Sequence, residues 1–352
     1  IPLGAMRFNS DSSKLEYWNG SIWLQIHTVS PHFEGGSGRG MFAGGDFNNI
    51  IDSFTISTQG NAVDHGDLTT NKSLTSATAS RTRGLLIGGN NPTLSPGDTY
   101  TNTIDFWSMS SAGNASDFGD LTSKAGYIAC TGNQTRAVRL GGTGPSPRQN
   151  IMDYVQIATT GNAIDFGDAF NGGGGTSNIA NPVRAINCGN LYPTNGYNKL
   201  ETFNIPTKGN GVFFGNLAQS NNKENFSGGG NAIRGFFAGG YVYPSGQTDE
   251  IEYINIASLG NSQYFGDLTS SKTMGDSGAS NSTRIVFGGG NDPAGLNTLE
   301  YLNISTTGNA VDFGDLVSGR TQPGTVASST RGLIQGGTTI PSVLSSIDYV
   351  TI

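Results

Sequence analysis

The sequence predicts an all-β fold, a seven-bladed β-propeller whose blades each contain four short antiparallel strands. The main observation is a repeat of about 50 residues, a period typical of propellers and solenoids. The composition agrees, because 54 of the 352 residues are glycine and only 13% are charged, against about 25% in an average globular domain. Such a chain suits many short strands joined by tight turns.

The first repeated element is Gly-Asn followed a few residues later by Phe-Gly-Asp-Leu, as in GNASDFGDL at residues 113–121. Six copies or variants of it lie about 48 to 53 residues apart. They begin at Gly60, Gly113, Gly161, Gly209, Gly260 and Gly308. Because the spacing is regular, each copy is expected to occupy the same place in its blade.

Two further elements occur seven times each. One is an arginine that leads an apolar run, usually ending in Gly-Gly, a pattern expected of a strand covered on both faces. These arginines are Arg39, Arg83, Arg136, Arg184, Arg234, Arg284 and Arg331. The other is an acidic residue in an alternating strand, at Asp52, Asp105, Asp153, Glu201, Glu252, Glu300 and Asp348. A weak strand of small residues before each arginine completes four strands per repeat, and seven such units can close a ring.

The two ends of the chain predict how this ring closes. The seventh repeat stops at Ile352, directly after its third strand, and lacks the Gly-Asn and Phe-Gly-Asp-Leu segment. We expect residues 20–26 to supply that fourth strand, which would leave no open sheet edge. The predicted domains are therefore residues 1–27, an N-terminal segment with the closing strand, and residues 28–352, the propeller. The alternative is that residues 1–27 form a separate small meander.

The charge balance excludes some partners. The net charge is −7, the pI is about 4.9, and the 19 lysines and arginines are spread along the chain. A phosphate backbone is repelled by such a surface, so nucleic acid is not an expected partner. Membrane insertion is not expected either, because no apolar run approaches the roughly 20 residues that span a bilayer. Cys130 and Cys188 are expected to be buried, inert thiols.

The sequence predicts neither an enzyme nor a cofactor site. Its histidines are His27, His32 and His65, too few for a convergent set of metal ligands or proton-transfer groups. His65 replaces the phenylalanine of its own repeat. A sialidase-like arrangement would gather three of the repeated arginines around a carboxylate. The regular spacing favours a structural role, because a charge used once per repeat suits an ion pair or hydrogen bond between strands or adjacent blades.

A binding surface is expected where the repeats differ. The segments after each Gly-Gly vary in length and composition, and all are expected to emerge on one face. Tyrosine presents a rigid face and a hydrogen-bonding tip that suit sugars and protein surfaces. The predicted ligand-binding residues lie in repeats four and five: Tyr192, Asn195, Tyr197, Tyr241 and Tyr243. The alternative is that these tyrosines pack against their own loops.

The four-strand unit resembles the kelch repeat over residues 28–352. In both, Gly-Gly closes one strand and a strand with an aromatic residue follows. Kelch blades usually carry a tryptophan in the last strand, where this chain has Phe-Gly, as at Phe118 and Phe313. The resemblance therefore implies a propeller architecture more strongly than any one function.

Two other features resemble proteins of phage particles. The opening segment, with Trp18 and Trp23, resembles a short module of phage tail-fibre and other virion proteins, and the GNAxDFGDLT repeat resembles repeats in phage structural proteins. They imply a non-enzymatic virion protein, a tail fibre or appendage on the particle surface. Its expected partners are other virion proteins and a host-surface glycan or protein, and a homo-oligomer is compatible with this role. The alternative is a secreted bacterial lectin or adhesin that binds glycans.

Overall fold

The computed structural model describes residues 1–10, 14–25, 38–94, 99–144, 149–170, 173, 177–188, 198–218, 223–275, 277–339 and 342–352. Over these residues the chain is all β, and its strands form small antiparallel sheets. In this part of the chain there is no helix of the length and apolarity needed to span a bilayer.

The N-terminal strands form a sheet of their own. They are β1 (Met6–Asn9), β2 (Lys14–Trp18) and β3 (Trp23–Gln25), paired in the order β1-β2-β3. Trp18 lies opposite Trp23, with ring centroids 5.5 Å apart. The structure therefore differs from the predicted strand exchange. Pairing with β2 and the tryptophan contact hold β3 in this sheet, which corresponds to the separate meander of the alternative interpretation.

Each of the seven repeats forms its own antiparallel sheet, numbered 1 to 7 in chain order. Sheet 1 contains β4 (Arg39–Ala43), β5 (Asn48–Thr55) and β6 (Val63–Lys72). Sheet 2 contains β7 (Ser76–Ala79), β8 (Arg83–Ile87), β9 (Thr103–Ser108) and β10 (Ser116–Asp120). Sheet 3 contains β11 (Ala129–Gly132), β12 (Arg136–Leu140), β13 (Ile151–Gln156) and β14 (Ile164–Asp168). Sheet 4 contains β15 (Ser177–Ala180), β16 (Arg184–Cys188), β17 (Lys199–Asn204) and β18 (Val212–Asn216).

The fifth and seventh repeats add short strands beside their main sheets, and the sixth does not. The segment of sheet 5 contains β19 (Lys223–Glu224), β20 (Ser227–Gly230), β21 (Arg234–Ala238), β22 (Tyr241–Val242), β23 (Gly246–Gln247), β24 (Glu250–Asn255) and β25 (Gln263–Asp267). Sheet 6 contains β26 (Gly278–Ser280), β27 (Arg284–Gly288), β28 (Leu296–Asn303) and β29 (Val311–Arg320). The segment of sheet 7 contains β30 (Gly324–Ala327), β31 (Arg331–Gln335), β32 (Thr338–Thr339), β33 (Ser342–Val343) and β34 (Ile347–Thr351). Strands β19, β22 and β23 pair with one another, as do β32 and β33.

Sheets 2 to 6 share one strand order, which matches the order of the sequence elements. The first strand holds small residues, the second begins at the repeated arginine, the third carries the acid, and the fourth carries Phe-Gly-Asp or its variant. Among the described residues, sheet 1 has only its second to fourth strands and sheet 7 only its first to third.

The core lies between neighbouring sheets. Leu85, Ile104 and Phe118 of sheet 2, for example, belong to one buried cluster with Ala137 and Val155 of sheet 3. The second strands are buried on both faces because a sheet lies against each of them, which explains their continuous apolar sequence.

Contacts also connect the two ends of the series. The first strands of sheets 2 to 7 contact one another in succession, and β30 of sheet 7 contacts β4 of sheet 1. Phe54 and Ile56 of sheet 1 form a buried cluster with Leu333 of sheet 7. Sheet 1 is therefore packed against sheet 7 as well as against sheet 2.

Candidate binding surface

The predicted tyrosine site is only partly within the described structure. Tyr192, Asn195 and Tyr197 lie outside the described residues. Tyr241 is half-buried in β22, where it pairs with Glu224 and Gln247. Tyr243 follows on the same hairpin and is 59% exposed. Neither tyrosine lines the large cavity of the molecule.

That cavity has a volume of about 1370 Å³ and lies between sheet 1, sheet 7 and the segments that lead into the first strands. Its wall includes the Gly-Gly turns of sheets 1 and 7. The segments after Gly-Gly lie on the same side of their sheets as the segments that lead into the first strands, since the two pair directly, as at Ser73 with Asn90 and Thr273 with Asn291. For these repeats, the variable segments and the entrances to the first strands therefore share a face.

A set of residues with left-handed backbone lines this cavity. Each lies two or three residues before the first strand of its sheet, and φ falls between +50° and +59°. The set consists of Leu74, Tyr127, Asn225, Gly275 and Gln322, from sheets 2, 3, 5, 6 and 7. Backbone hydrogen bonds connect neighbouring members, since Tyr127 N donates to Leu74 O (3.0 Å) and Gly275 N donates to Asn225 O (3.3 Å).

We call these five residues the left-handed set. For a residue other than glycine, this conformation costs about 1 to 3 kcal/mol and persists only where the surrounding structure holds it, commonly at ligand sites. Four members carry different side chains at equivalent backbone positions. The backbone is thus constant from sheet to sheet, while the chemistry presented to the cavity is not.

The cavity wall combines polar and apolar side chains and lacks positive charge among its described residues. Asp46 and Asp52 lie in it, together with Asn225 and Gln322, and its described residues include no lysine, arginine or histidine. Tyr127, which is 41% exposed, adds an aromatic face. Such a wall disfavours anions and suits a neutral, hydroxyl-rich ligand that stacks on the ring and exchanges hydrogen bonds with the amides.

Six of the seven repeated arginines connect their sheet to the next one. Arg136 of sheet 3 donates from Nη1 to Ile205 O beyond the third strand of sheet 4 (2.9 Å), and its guanidinium lies 4.4 Å from the Tyr154 ring centroid. Similar bonds to backbone carbonyls are made by Arg39, Arg83, Arg184, Arg234 and Arg331. Arg331 donates to Ile56 O, so this bond joins sheet 7 to sheet 1 (3.0 Å).

The repeated acids are paired with a second set of cations. Asp105 is fully buried, and its carboxylate lies 2.8 Å from Nζ of Lys72. The other pairs are Arg139 with Asp153, Lys223 with Glu252, Lys272 with Glu300, and Arg320 with Asp348. Burial lowers the pKa of Lys223, and nearby carboxylates, Glu252 foremost, oppose that shift. Each pair fixes the position of a third strand in its sheet.

Sequence reasoning missed these cations, although a signal for most of them was present. Lys72, Lys272 and Arg320 each lie four residues after the leucine of Phe-Gly-Asp-Leu or its variant, and Lys223 lies six after it. The pattern is hard to notice because sheet 3 does not follow it. There the cation is Arg139, which lies in the second strand. The residue that follows the leucine also contacts the acid, as when Thr69 Oγ1 donates to Asp105 (2.5 Å).

The remaining polar candidates have ordinary environments. His65 is 2% exposed, and Nε2 lies 2.9 Å from Ser108 O, as suits a buried replacement for phenylalanine. Burial raises the pKa of the Cys130 thiol to about 12, which keeps it protonated and unreactive. Over the described residues, no three histidine, cysteine or carboxylate side chains are grouped as a metal site would need.

Comparison with known proteins identifies the architecture. No family model matches the chain, and no curated protein matches it. A solved structure described as "Structure of YjhT" is similar, with a TM-score of 0.61 and 10% identity over 81% of this chain and 96% of that one. At that identity the likeness shows the fold alone, and 382 chains of solved structures match, so the fold is a common one. The chain therefore has a β-rich, propeller-like architecture, and its function has to be argued from the surface.

Proposed function

We propose that this chain is a non-enzymatic binding protein of a phage virion, part of a tail fibre or appendage that contacts the host surface or docks to other virion proteins. The observation that carries the proposal is the left-handed set around the large cavity. Five equivalent backbone positions present leucine, tyrosine, asparagine, glycine and glutamine to one space. In repeat proteins, shared residues specify the fold and unequal ones specify a partner.

We further infer that the seven sheets form the seven blades of one closed ring. Sheet 1 packs against sheet 7 through Phe54 and Leu333, and Arg331 bonds to Ile56. This is the same arginine contact that joins the sheets inside the series. In such a ring the left-handed set surrounds the mouth of the central channel, where residues from many blades can reach one ligand.

A binding role suits the way in which the repeated charges are used. A sialidase-like site would need several of the repeated arginines directed at one carboxylate. Six of them instead donate to backbone carbonyls of the neighbouring sheet, and five of the repeated acids lie in ion pairs. These groups support the scaffold, and the cavity presents amides and a phenol. We therefore favour a neutral host-surface glycan as the ligand.

The test is binding of the purified protein to host cells, envelope extracts and a glycan array. We expect Tyr127→Ala and Gln322→Ala each to weaken binding about tenfold, the loss of one well-packed contact at an interface. Tyr264→Ala is the matched control, because Tyr264 is 43% exposed on β25 and lies outside the cavity wall. Unchanged binding by both cavity variants would contradict the proposed site.

Antibody labelling of intact phage particles tests the virion half of the proposal. Label on a tail or appendage is the expected result, and blocking of adsorption by the free protein would assign the host-binding role. Glycan binding by a protein that is absent from particles would instead favour the secreted lectin or adhesin. Docking to another virion protein without any binding to host material would leave only the structural role.

A further inference from the structure

Neighbouring sheets interlock through the Gly-Asn and Phe-Gly-Asp elements. Between sheets 2 and 3, Gly161 N donates to Phe118 O (2.8 Å) and Ala163 N donates to Asp120 O (2.7 Å). In return, Asp120 N donates to the side-chain oxygen of Asn162 (3.1 Å). The two repeated sequence elements are thus the two halves of one contact, which we call the interlock.

The interlock occurs five times, from sheets 1 and 2 to sheets 5 and 6. The glycine of Phe-Gly-Asp touches the glycine of the next Gly-Asn so closely that a Cβ would lie 2.0 to 2.6 Å from its carbonyl group. The five glycine pairs are Gly66 with Gly113, Gly119 with Gly161, Gly167 with Gly209, Gly215 with Gly260, and Gly266 with Gly308. Only glycine fits, which explains why this position does not vary.

At sheet 6 one half of the interlock is uncovered. A Cβ built on Gly314 would meet no atom within 4 Å. Phe313, the residue before it, is 36% exposed, whereas Phe118 and Phe265 at the same position are 2% and 3% exposed. No Gly-Asn element of sheet 7 lies in the 352 residues to cover them.

At sheet 1 the other half is uncovered. Gly60 and Asn61 form its Gly-Asn element, and in the described part of the chain no Phe-Gly-Asp strand bonds to them. Both lie in the wall of the large cavity, beside Ile347 of β34. Strand β34 pairs with β31 on one side, and none of the described strands pairs with its other edge.

Among the described residues, Asp52 also lacks the partners that equivalent acids have. The acids of sheets 2, 5, 6 and 7 are met by the residue after Phe-Gly-Asp-Leu or its variant, as when Thr269 N donates to Glu300 (2.7 Å), and by the cation a few residues later. Asp52 makes no ion pair or hydrogen bond with the described residues and faces the cavity. Burial raises its pKa, with Asp64 adding to the shift.

We propose that the edge of β34 is a docking site for an extended segment from a polypeptide outside these 352 residues. The segment carries Gly-Asn, then Phe-Gly-Asp-Leu, then a lysine or arginine about four residues later. In the register of β9 with β10, its glycine lies opposite Ile347 and the residue before its phenylalanine lies opposite Asp348. Its Gly-Asn covers Phe313, its Phe-Gly-Asp engages Asn61, and its cation meets Asp52.

The pattern excludes the N-terminal segment as the occupant. The only glycine in residues 20–26 is Gly20, which precedes the strand. Any residue of that strand would therefore place a Cβ at the position where the interlock admits only glycine. Trp23–Gln25 is also already paired with β2. The docking site adjoins the ligand cavity, since Asp52, Gly60 and Asn61 lie in the cavity wall, but none of its contacts uses the left-handed set.

The test is titration of the 352-residue protein with a synthetic peptide of residues 305–320, which carry the full pattern. We expect saturable one-to-one binding, by anisotropy of a labelled peptide, and a rise in Tm. The control peptide has alanine in place of the glycine of Phe-Gly-Asp, and we expect it to bind at least about tenfold more weakly, because its Cβ overlaps the Gly60 carbonyl and breaks the strand pairing.

Protein variants separate this docking site from the ligand site. Asn61→Ala should weaken the peptide about tenfold through the lost hydrogen bond, and Asp52→Asn should remove the contribution of the peptide's last arginine. Tyr127→Ala should leave peptide binding unchanged even if it abolishes ligand binding. Equal binding of the glycine and alanine peptides, or absence of binding to folded protein, would overturn the proposal.

Discussion

Residues that are equivalent in sequence have different environments in this molecule. Asp105 and Asp52 both stand second in their strand motif, and the sequence gives no reason to separate them. Asp105 is fully buried against Lys72, whereas Asp52 is half-buried and has a raised pKa. The cation of Asp105 comes from the preceding sheet, and sheet 1 has no sheet before it among the described residues.

Replacement of these two acids should affect stability unequally. Asp105→Ala leaves the Lys72 ammonium buried without its partner, and we expect the free energy of unfolding to fall by about 3 to 5 kcal/mol. Asp52→Ala removes a carboxylate that has no cation, so the free energy of unfolding should change little. Urea denaturation of both variants measures the difference. A comparable loss in the two would show that the ion pair is not what stabilises the third strand.

Asp52 should also give the protein a defined pH dependence. Its pKa is raised in the folded state, so the folded protein holds the proton more tightly than the unfolded chain. Stability therefore falls as pH rises from the unfolded pKa of 3.8 through the higher folded pKa, and is constant above it. In Asp52→Asn this loss is absent, so the variant should gain stability over wild type as pH rises. A pH-independent difference between the two would contradict the shift.

At the scale of the elements, the sequence predicted where strands occur but not always which strands and sheets contact one another. Alternation and glycine-bounded apolar runs predicted the second and third strands, because side-chain periodicity is a local property. The interlock was not predicted, since Gly-Asn beside a strand is also ordinary turn chemistry. Strand β3 was assigned to the wrong sheet for a related reason, because strand pairing is decided by the available edges and by contacts such as that of Trp18 with Trp23.

The interlock can be tested with two glycines at the same repeat position. Gly119 and Gly314 both have left-handed φ, +143° and +125°, so alanine carries a conformational cost at either. Only at Gly119 would the new Cβ also lie 2.5 Å from the backbone of the next sheet. We expect Gly119→Ala to lower the free energy of unfolding by about 1 to 3 kcal/mol more than Gly314→Ala. Thermal or urea unfolding measures both, and equal losses would show that contact between the sheets adds nothing.

The whole molecule depends on contacts between sheets that are far apart in the chain. Each core cluster is shared by neighbouring sheets, and the cluster of Phe54, Ile56 and Leu333 joins the first to the last. A single sheet cannot bury both of its faces, so its stability comes from its neighbours. The contact between sheets 1 and 7 is the one on which a closed ring depends.

Truncation of Leu333 tests that contact in solution. If sheets 1 and 7 are packed as described, Leu333→Ala should cost about 2 to 5 kcal/mol, as for other buried leucines, within one cooperative transition. Val343→Ala in the short β32–β33 pair of the same repeat is the control, because Val343 is 60% exposed and should be nearly neutral. A Leu333 effect as small as that of Val343 would mean that the series of sheets is open between its ends.

The amino-acid pattern was enough to predict the β class, the seven repeats and the structural use of the repeated charges. These are properties of spacing and local pattern, and recurrence once per repeat indicates that a residue belongs to the scaffold. Only the tertiary structure decided which cation meets which acid, where β3 pairs, and that residues as unlike as Leu74, Tyr127 and Gln322 line one cavity. Each of these relations depends on which surfaces meet in the folded chain, as for Lys72 with Asp105 from different sheets, and the order of the chain does not encode distance in space.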